Sequence, residues 1–333
     1  MIGKNYYFMD VSVIIVSWNT RDLLRDCLKS VYEKTKMTII EVIVVDNRSS
    51  DGSADMVEAE FPSAKIIRGE NVGFAKANNI ALRYAKGKDI LFLNPDTRLE
   101  TDAIDCMYAH LNTHRDTVSA VGCKLLNADG SVQLTCARRF PSAWTELCYF
   151  LGFERLFWFL PWMSGAEMRH WDHNNSCFVP CLSGACIMAD GDLVRKIGGF
   201  SEEYFMYGED LELCWKLTLE KRKLWYIAKE RIYHFAGSSS AKRGASFHVT
   251  VRQRAANIAF LRKSSSLRGV IEYRVAVALG ASFRLVLVFV LLPLSLIRSD
   301  GRLENLCKLM LKYFFLFLWS INFRSFDQYE SRK

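Results

Sequence analysis

Short apolar runs alternate with amphipathic segments through the first hundred residues of the chain. The runs are rich in β-branched residues, which is typical of strands buried in a parallel sheet. They lie at residues 11–17, 41–46, 65–68 and 89–93. The segments between them predict helices at residues 21–34, 51–61 and 75–86. This alternation predicts an α/β fold of parallel β-α-β units, with ligands bound at the carboxyl ends of the strands.

The pattern is less regular after residue 115. Further apolar runs predict strands, and two amphipathic segments predict helices. The strands are expected at residues 118–126, 131–135, 181–189, 224–227 and 231–235, and the helices at 190–197 and 209–221. Residues 140–175 are rich in Trp and Phe but lack a clear period. We expect them to form an interfacial region or one that faces the acceptor substrate.

Two long apolar segments lie near the end of the chain. Residues 275–297 carry Arg284 as their only charge, whereas residues 306–323 carry Lys308 and Lys312. A spanning helix needs about 20 apolar residues. The first segment therefore qualifies if Arg284 reaches the membrane interface, while the second is more typical of an interfacial helix. A helical hairpin in the core of a soluble protein is the alternative.

The apolar tail predicts a division into two domains. Residues 1–265 suit one α/β catalytic domain, and residues 266–333 suit a membrane-associated helical region. The net charge of +8 is unevenly distributed, because Lys and Arg are concentrated at residues 252–274. That position favours an anionic membrane surface as a partner. The sequence carries no DNA- or RNA-binding motif, so nucleic acid is not an expected partner.

The N-terminus and the cysteines favour a cytoplasmic protein. Residues 1–10 are polar and aromatic, and the apolar run that follows them is too short for a secretory signal. The ten cysteines include no Cys-x-x-Cys pair, and most lie inside apolar runs. We therefore expect reduced, buried thiols rather than disulfides or a zinc site.

Polar residues follow the first two predicted strands. The first loop contains Ser17, Trp18 and Asn19 but no glycine, which excludes the Gly-rich loop of a dinucleotide-binding fold. An aromatic ring beside Asn19, with Asp46 and Asn47 at the second strand end, suits a nucleobase. The ring can stack, and Asp46 can accept a pyrimidine N–H. The alternative is that Asp46 and Asn47 belong to a loop that caps the next helix.

The segment NVGFAKANN, residues 71–79, joins the third predicted strand to a helix. Gly73 lets the backbone approach a ligand closely, and the helix N-terminus favours anionic groups. By itself this indication is weak, since many turns between a strand and a helix contain glycine. We expect Gly87 to cap the end of the helix.

Two acidic sites remain along the chain. Asn94-Pro95-Asp96 follows the fourth predicted strand, and Glu209 and Asp210 begin a predicted helix. Mg²⁺ typically takes one or two protein carboxylates together with phosphate oxygens and water, so Asn94 and Asp96 suffice for a metal on a diphosphate. The second site offers a carboxylate that can accept a proton from a hydroxyl. The structural alternatives are a turn at Asp96 and a helix cap at Glu209 and Asp210.

In this order the segments resemble family 2 glycosyltransferases of the GT-A fold, and especially the rhamnosyltransferase-like branch that builds bacterial cell-surface polysaccharide. The resemblance is carried by VSVIIVSWNT, VIVVDNRSSDGS, ENVGFAKANN, LFLNPDT, SGACIMADGDLVRKIGGFSEEYFMYGEDLELCWKL and HFAGSS. It covers about residues 10–263 and implies a Rossmann-like, mostly parallel sheet with helices on both faces. Residues 138–141 (RRFP) match a further recurrent segment, to which no role is assigned.

The resemblance implies a role for each matching residue. Asp210 is the implied general base, with support from Glu209. Asp96 is the remaining acid of the Asp-x-Asp motif, Asn94 replaces the first acid, and His234 completes the shell of a Mg²⁺ or Mn²⁺ ion. The implied nucleotide and donor contacts are Ser17, Asn19, Asp46, Asn47, Asn71, Gly73, Asn78 and Asn94.

The implied activity is inverting sugar transfer to a hydroxyl of a lipid-linked saccharide, at the cytoplasmic face of the bacterial inner membrane. The favoured donor is dTDP-rhamnose, with a UDP-sugar next. Three alternatives remain open. The first is transfer to a polyprenyl phosphate, which needs no base, and the second is a non-catalytic nucleotide-sugar-binding protein. The third is a nucleotidyltransferase, although the chain lacks the N-terminal Gly-rich loop and phosphate-binding Lys of that class.

Overall fold

Two compact units make up the part of the chain that the structure describes. The computed structural model describes residues 9–204, 207–235, 247–296 and 302–322. The first unit comprises residues 9–138 and 171–235, and the second comprises residues 139–170, 247–296 and 302–322. The functional boundary predicted between residues 265 and 266 stays a prediction, since this division reflects compactness alone.

The described residues form eleven strands and eleven α-helices. The strands are β1 (Met9–Ser17), β2 (Ile40–Asn47), β3 (Lys65–Gly69), β4 (Gly87–Leu93), β5 (Thr97–Leu99), β6 (Val118–Leu126), β7 (Ala137–Arg138), β8 (Cys177–Val179), β9 (Cys181–Leu182), β10 (Cys186–Asp190) and β11 (Lys223–His234). The helices are α1 (Arg21–Lys34), α2 (Ser53–Glu60), α3 (Phe74–Leu82), α4 (Ala103–Thr113), α5 (Ala143–Leu151), α6 (Phe153–Leu156), α7 (Gly191–Lys196), α8 (Glu209–Leu219), α9 (Phe247–Ser264), α10 (Leu267–Leu296) and α11 (Arg302–Ile321).

The first unit is organised around one mixed sheet. Its strand order is β3-β2-β1-β4-β10-β6-β11-β5, with β8 beside β11, while β7 and β9 form a separate pair. Strands β1 to β4 are parallel, β10 is antiparallel to both of its neighbours, and β11 is parallel to β6. Strands β1, β2, β4 and β11 therefore finish where β10 begins. We call this the carboxyl end of the sheet.

A buried ion cluster fixes the register of β4 against β10. Asp89 and Asp190 are direct partners in this antiparallel ladder. The Arg115 guanidinium donates to both oxygens of Asp89, at 2.9 and 2.8 Å, and lies 3.1 Å from Asp190. Two carboxylates can be buried side by side only when a cation compensates them. The same register brings Cys186 opposite Leu93 at the carboxyl end of the sheet.

The predicted α/β alternation is confirmed, but several local predictions are wrong. Gly87 begins β4 and does not cap the preceding helix, which already ends at Leu82. Residues 131–135 are not a strand: Val132 makes one isolated bridge, and a 3₁₀ helix, Leu134–Cys136, follows. After the turn at Asn127 the chain pairs with β6 through the single bridge between Val132 and Leu126, so no second strand forms.

Two further strand predictions need correction. The run at residues 181–189 is divided into β9 and β10 by a turn at residues 183–185. Conversely, the separate strands expected at 224–227 and 231–235 are one strand, β11, with an irregular register between Ile227 and Arg231. An apolar pattern reports burial, and it does not reveal where the backbone turns without leaving the core.

The second unit is helical and contains buried polar contacts. Tyr273 donates to Glu146 at 2.8 Å, and Arg254 forms an ion pair with the same carboxylate. Arg274, near the start of α10, donates to the backbone carbonyls of Trp319 and other residues at the end of α11. Helices α10 and α11 therefore form an antiparallel pair.

Both helices of the apolar tail begin earlier in the chain than the sequence predicts. The segments expected at residues 275–297 and 306–323 correspond to α10 and α11, although residues 297 and 323 lie outside the described ranges. Among the described helices, one segment, Leu267–Leu292 of α10, is long and apolar enough to cross a membrane.

Candidate functional site

The ends of β1 and β2 form the part of the site expected to bind a nucleobase. Ser17 and Asp46 are register partners there, and both are buried. One oxygen of Asp46, Oδ2, accepts from the Ser49 backbone N–H at 3.1 Å. The other, Oδ1, is buried without a hydrogen-bond partner among the described residues. An unsatisfied buried acceptor costs free energy, so this oxygen is suited to an N–H group of a ligand.

Two asparagines expected at the nucleotide hold the surrounding loops. The Asn19 side chain accepts from the Ser50 backbone N–H at 2.8 Å, and its own φ is 53°. Asn47 accepts from the Val72 N–H at 3.2 Å and donates to the Gly73 carbonyl at 3.3 Å. Both side chains are therefore engaged in connecting loops, and they shape the site through those loops.

The loop before α3 presents its backbone at the carboxyl end of the sheet. Gly73 has a φ of 86°, which favours glycine, and its N–H donates to the Asn71 side chain at 3.3 Å. Asn78 is buried and donates to the Phe74 carbonyl of its own helix at 2.9 Å. Of the three residues predicted to bind the sugar donor here, Asn78 therefore stabilises α3, and Gly73 is the residue that precedes the first turn of that helix.

Asn94, Asp96 and His234 converge, although 140 residues separate the first from the last. His234 lies opposite Thr97 in the β11–β5 ladder. Its Nε2 atom lies 3.2 Å from Asn94 Nδ2 and 3.4 Å from Asp96 Oδ1. Its Nδ1 atom lies 2.7 Å from Gln133 Oε1. The fold therefore brings the predicted metal residues together.

The hydrogen bonds assign a tautomer to His234. Gln133 Oε1 is an acceptor, so Nδ1 carries the proton, and Asn94 Nδ2 then donates to the Nε2 lone pair. A cation that displaced the Asn94 N–H from this lone pair would meet two electron-pair donors, Nε2 and Asp96 Oδ1, which lie 3.4 Å apart. That pairing suits a divalent cation, and a histidine fixed through its other nitrogen is the usual arrangement at metal sites.

The protein offers few ligands for such a cation. No group of three or more His, Cys, Asp or Glu residues suited to a metal occurs among the described residues. Asp96 and His234, with the Asn94 amide nearby, fit Mg²⁺ or Mn²⁺ provided that the substrate supplies phosphate oxygens. This matches an ion that binds together with a diphosphate.

Asp210 is held at the start of α8 by three donors. Its Oδ2 accepts from Arg138 at 2.6 Å and from the Gly184 backbone N–H at 3.2 Å, and its Oδ1 accepts from the Leu211 N–H at 2.8 Å. A helix N-terminus also favours negative charge. These contacts orient the carboxylate.

The neighbouring Glu209 has a different environment. Its side chain is buried, and Oε2 has no hydrogen-bond partner within the described part of the chain. Burial, together with the charge of Asp210, raises the pKa of Glu209 to about 8. The two adjacent acids therefore have different environments. Glu209 keeps its proton up to about pH 8, whereas Asp210 forms an ion pair with Arg138.

The turn at residues 184–185 links the two acidic sites. The Ala185 carbonyl accepts from the Asn94 backbone N–H at 3.0 Å, and the Gly184 N–H donates to Asp210. A Cβ atom at position 184 would lie 3.0 Å from the Asp210 Cβ atom. The turn therefore contacts the backbone of the Asn94-Pro95-Asp96 segment and the carboxylate of Asp210, at the carboxyl end of the sheet.

Sequence reasoning missed two residues that contact the site. Arg138 lies in the RRFP segment, which was noted without a role, and Gln133 lies where a strand was predicted. A lone arginine or glutamine carries no signal of its own. Arg138 could have been found by asking which cation compensates a carboxylate at a buried helix start.

A comparison with family models identifies part of the chain. Residues 12–165 match the model described as glycosyl transferase family 2. This segment contains β1 to β6 and the Asn94-Pro95-Asp96 sequence. The resemblance recognised in the sequence is confirmed by this match and by relatives named as rhamnosyltransferases.

Three curated relatives have similar sequences over about two thirds of this chain. O-antigen biosynthesis protein RfbC of Myxococcus xanthus is 26% identical, over 69% of this chain but only 17% of its own length. Rhamnosyltransferase WbbL of Escherichia coli is 26% identical, over 68% and 83% of the two chains. N-acetylglucosaminyl-diphospho-decaprenol L-rhamnosyltransferase of Mycobacterium tuberculosis is 25% identical, over 70% and 78%. This chain thus spans most of two of these relatives and a small part of the third.

Solved structures share the fold at low sequence identity. Mannosyltransferase PcManGT from Pyrobaculum calidifontis, in complex with GDP-Man and Mn²⁺, has a TM-score of 0.54 and 17% identity, covering 96% of this chain and 89% of its own. S. aureus TarS 1-349 in complex with UDP has a TM-score of 0.50 and 16% identity, covering 98% and 93%. These similarities confirm the predicted GT-A fold.

Replacing Glu209 by Gln should remove a pH dependence of stability. The folded protein binds a proton at Glu209 up to about pH 8, whereas the unfolded chain releases it near the ordinary value of about 4.3. The free energy of unfolding should therefore fall as the pH rises between these values, and it should fall less in the variant. Urea unfolding at pH 5.5 and pH 8 measures this. The exposed Glu33→Gln is the control, and equal pH dependence in parent and Glu209→Gln would contradict the assignment.

Proposed function

Residues 12–165 match the model of glycosyl transferase family 2, and from that match we propose that the chain is a member of this family and catalyses a specific reaction. The protein transfers a sugar, with inversion at the anomeric carbon, from a nucleotide-sugar donor to a hydroxyl of a lipid-linked saccharide. The favoured donor is dTDP-rhamnose, with a UDP-sugar next, because two relatives are named as rhamnosyltransferases. The product belongs to a bacterial cell-surface polysaccharide.

One observation carries this proposal: a single turn, residues 184–185, contacts both the Asn94-Pro95-Asp96 segment and Asp210. Asp96 belongs to the group that faces His234, and Asp210 accepts from the Gly184 N–H. Sugar transfer needs negative charge to be stabilised on the leaving diphosphate and a proton to be removed from the attacking hydroxyl. One carboxylate is available for each requirement.

Asp210 is the proposed general base. Arg138 and two backbone N–H groups hold its carboxylate in a fixed direction. Each carboxylate oxygen has more than one acceptor site, so Asp210 can also receive the acceptor hydroxyl. The proton moves onto Asp210 as the hydroxyl oxygen forms its bond to the anomeric carbon and the bond to the nucleotide diphosphate breaks. The protonated Glu209 adds no competing negative charge beside it.

The donor is proposed to bind along the ends of β1, β2 and β4. The unpartnered Oδ1 atom of Asp46 accepts an N–H of the base, beside Ser17. The diphosphate faces the loop of Asn71 and Gly73 at the start of α3, where helix N–H groups favour anions. Asn19, Asn47 and Asn78 keep these loops in place through the hydrogen bonds described above.

Mg²⁺ or Mn²⁺ fits the oxygen and nitrogen atoms of Asp96, Asn94 and His234. When bound, a divalent cation neutralises charge that develops on a leaving diphosphate. Gln133 orients the His234 ring for this purpose through Nδ1. The Mn²⁺ in the structure of PcManGT supports the same class of ion here.

The protein is proposed to act at the cytoplasmic face of the bacterial inner membrane, with the C-terminal helices as its contact to lipid. Support comes from the apolar segment Leu267–Leu292. The decaprenol-linked substrate in the name of the mycobacterial relative indicates a lipid carrier. A lipid-linked acceptor stays at the bilayer, so an enzyme that uses it must work there.

The proposal predicts transfer in a defined assay. The full chain, with Mg²⁺ or Mn²⁺ and a short-chain polyprenyl-diphosphate sugar, is incubated with dTDP-rhamnose, UDP-sugars or GDP-mannose. We expect the acceptor to gain the mass of one deoxyhexose, detected by mass spectrometry, with dTDP-rhamnose. If the acceptor instead gained one hexose from a UDP-sugar, the proposed sugar transfer would stand and only the assignment of the donor would change. Nucleotide binding without turnover on any donor would favour a non-catalytic binding protein.

Asp210→Asn should lose about 10²- to 10⁴-fold in turnover, because a positioned base contributes that much to a rate. Nucleotide binding, measured by calorimetry, should remain at the parent level. Glu33→Gln on the surface of α1 is the control for handling and expression. Turnover at the parent rate would contradict the role of Asp210 and would favour transfer to a lipid phosphate, which needs no base.

Gln133→Leu should weaken binding of Mn²⁺ in the presence of nucleotide by about 10- to 100-fold, because loss of a partner that orients a histidine ligand has that effect. Titration calorimetry with Mn²⁺ and nucleotide measures this without any turnover. Gln133→Glu retains an acceptor for Nδ1 and should bind close to the parent level. Parent-like affinity in Gln133→Leu would contradict a metal role for His234.

A further inference from the structure

We propose that the second unit binds to the surface of an anionic bilayer with the α10–α11 pair lying along the membrane interface, so that α10 does not cross the membrane. The inference rests on the membrane association in the proposed function and specifies its geometry. In this geometry the exposed apolar residues of the α10–α11 pair contact the lipids of one leaflet only.

The first part of α10 is committed to the packed unit. Tyr273 donates to the buried carboxylate of Glu146 at 2.8 Å. At Gly280 a Cβ atom would lie 2.3 Å from a ring carbon of Phe150, so α10 and α5 are in close contact there. Further along, Arg284 donates to the backbone carbonyl of Tyr149 at 3.2 Å. Residues up to 284 cannot cross a bilayer as a separate helix without breaking these contacts.

The remaining part of α10 is too short to span a membrane. Residues 285–296 complete the helix, and at 1.5 Å per residue they extend about 18 Å. The hydrocarbon core of a bilayer is about 30 Å thick. Leu267–Leu292 has the length and composition of a span, but its residues up to 284 belong to a helix that packs against α5, so the whole segment is not free to cross a membrane.

Charges at the far end of the pair oppose insertion as well. In α11, Glu304 and Lys308 form an exposed ion pair. A perpendicular hairpin would place these groups in hydrocarbon or carry them across it, at a cost of several kcal/mol for a charge at the bilayer centre. An orientation along the interface leaves them in water.

The exposed side of the pair has the form of an interfacial helix surface. On α10, exposed apolar residues recur every three or four positions, while Tyr273, Val277 and Ala281 face the protein. We define the hairpin surface as Val275, Leu279, Phe283 and Val286 of α10 with Leu311 and Leu318 of α11, all of them more than a third exposed. Exposed apolar surface of this extent marks an interaction site.

The chemistry around the hairpin surface favours anionic lipid over a protein partner. Trp144, Trp158 and Trp162 of the same unit are each about half exposed, and tryptophan is enriched at membrane interfaces. Arg252 and Arg268 are also exposed in this unit, and basic side chains add attraction to acidic headgroups. Apolar, indole and basic groups together are what one leaflet recognises.

Vesicle flotation of the full chain tests the surface. The parent should bind phosphatidylcholine vesicles that contain phosphatidylglycerol and bind pure phosphatidylcholine vesicles more weakly. Leu279→Glu and Val286→Glu should each reduce binding about tenfold or more, since a charge replaces a buried apolar contact. Leu219→Glu, at an exposed position of α8, should bind as the parent does. Unchanged binding of both surface variants, or loss of a chain dimer without an effect on lipid, would overturn the proposal.

Labelling from one side tests the orientation. In a Cys307→Ser background, Ser299→Cys and Glu33→Cys are compared in sealed inner-membrane vesicles with an impermeant maleimide. Both sites should be labelled from the same side, because α10 does not cross the bilayer. Labelling of position 299 only from the side opposite to position 33 would show a span and overturn the proposal. Neither measurement requires sugar transfer, so a failed transfer assay and a failed topology are distinguishable.

Discussion

The candidate site depends on the register between two antiparallel strands, β4 and β10. Asp89 and Asp190 face each other in this ladder, and Arg115 lies between their carboxylates. A slip of one residue would separate the buried acids from their shared cation and would also turn the strand faces over. Because the register is fixed at one end of the sheet, Asn94 and Ala185 meet at the other end. The ion cluster of Asp89, Arg115 and Asp190 therefore positions the candidate site, although these three residues are not part of that site.

Electrostatics then distinguish neighbouring acids that the sequence leaves equivalent. Glu209 and Asp210 are adjacent, yet burial raises the pKa of Glu209 to about 8, while Arg138 contacts Asp210. Two adjacent acids in the same helix turn therefore have different electrostatic environments. At the Asp96 group, the hydrogen bond of Gln133 to His234 likewise decides which ring nitrogen is presented. In both cases a partner distant in sequence sets the state of the functional group.

The helical unit has a comparable division between buried and exposed faces. Its interior contains Glu146, Arg254 and Tyr273 in contact with one another, although the sequence around them is largely apolar. Buried polar groups of this kind fix how helices pack, because each must find its partner. They also explain how a helix with the composition of a membrane span can be part of a packed protein. Hydropathy averages over all sides of a helix, whereas packing occupies only one.

The sequence by itself determined the α/β alternation, the positions of the first four strands and of the three helices between them, and the polar residues at strand ends, because periodicity and turn chemistry are local properties. It also placed Asp46, Asp96 and Asp210 among the candidates through their segments. Only the tertiary structure decided the antiparallel insertion of β10, the contacts of Gln133 and Arg138, and the side of α10 that is buried. These depend on pairings between residues far apart in the chain, and a local pattern carries no information about such partners.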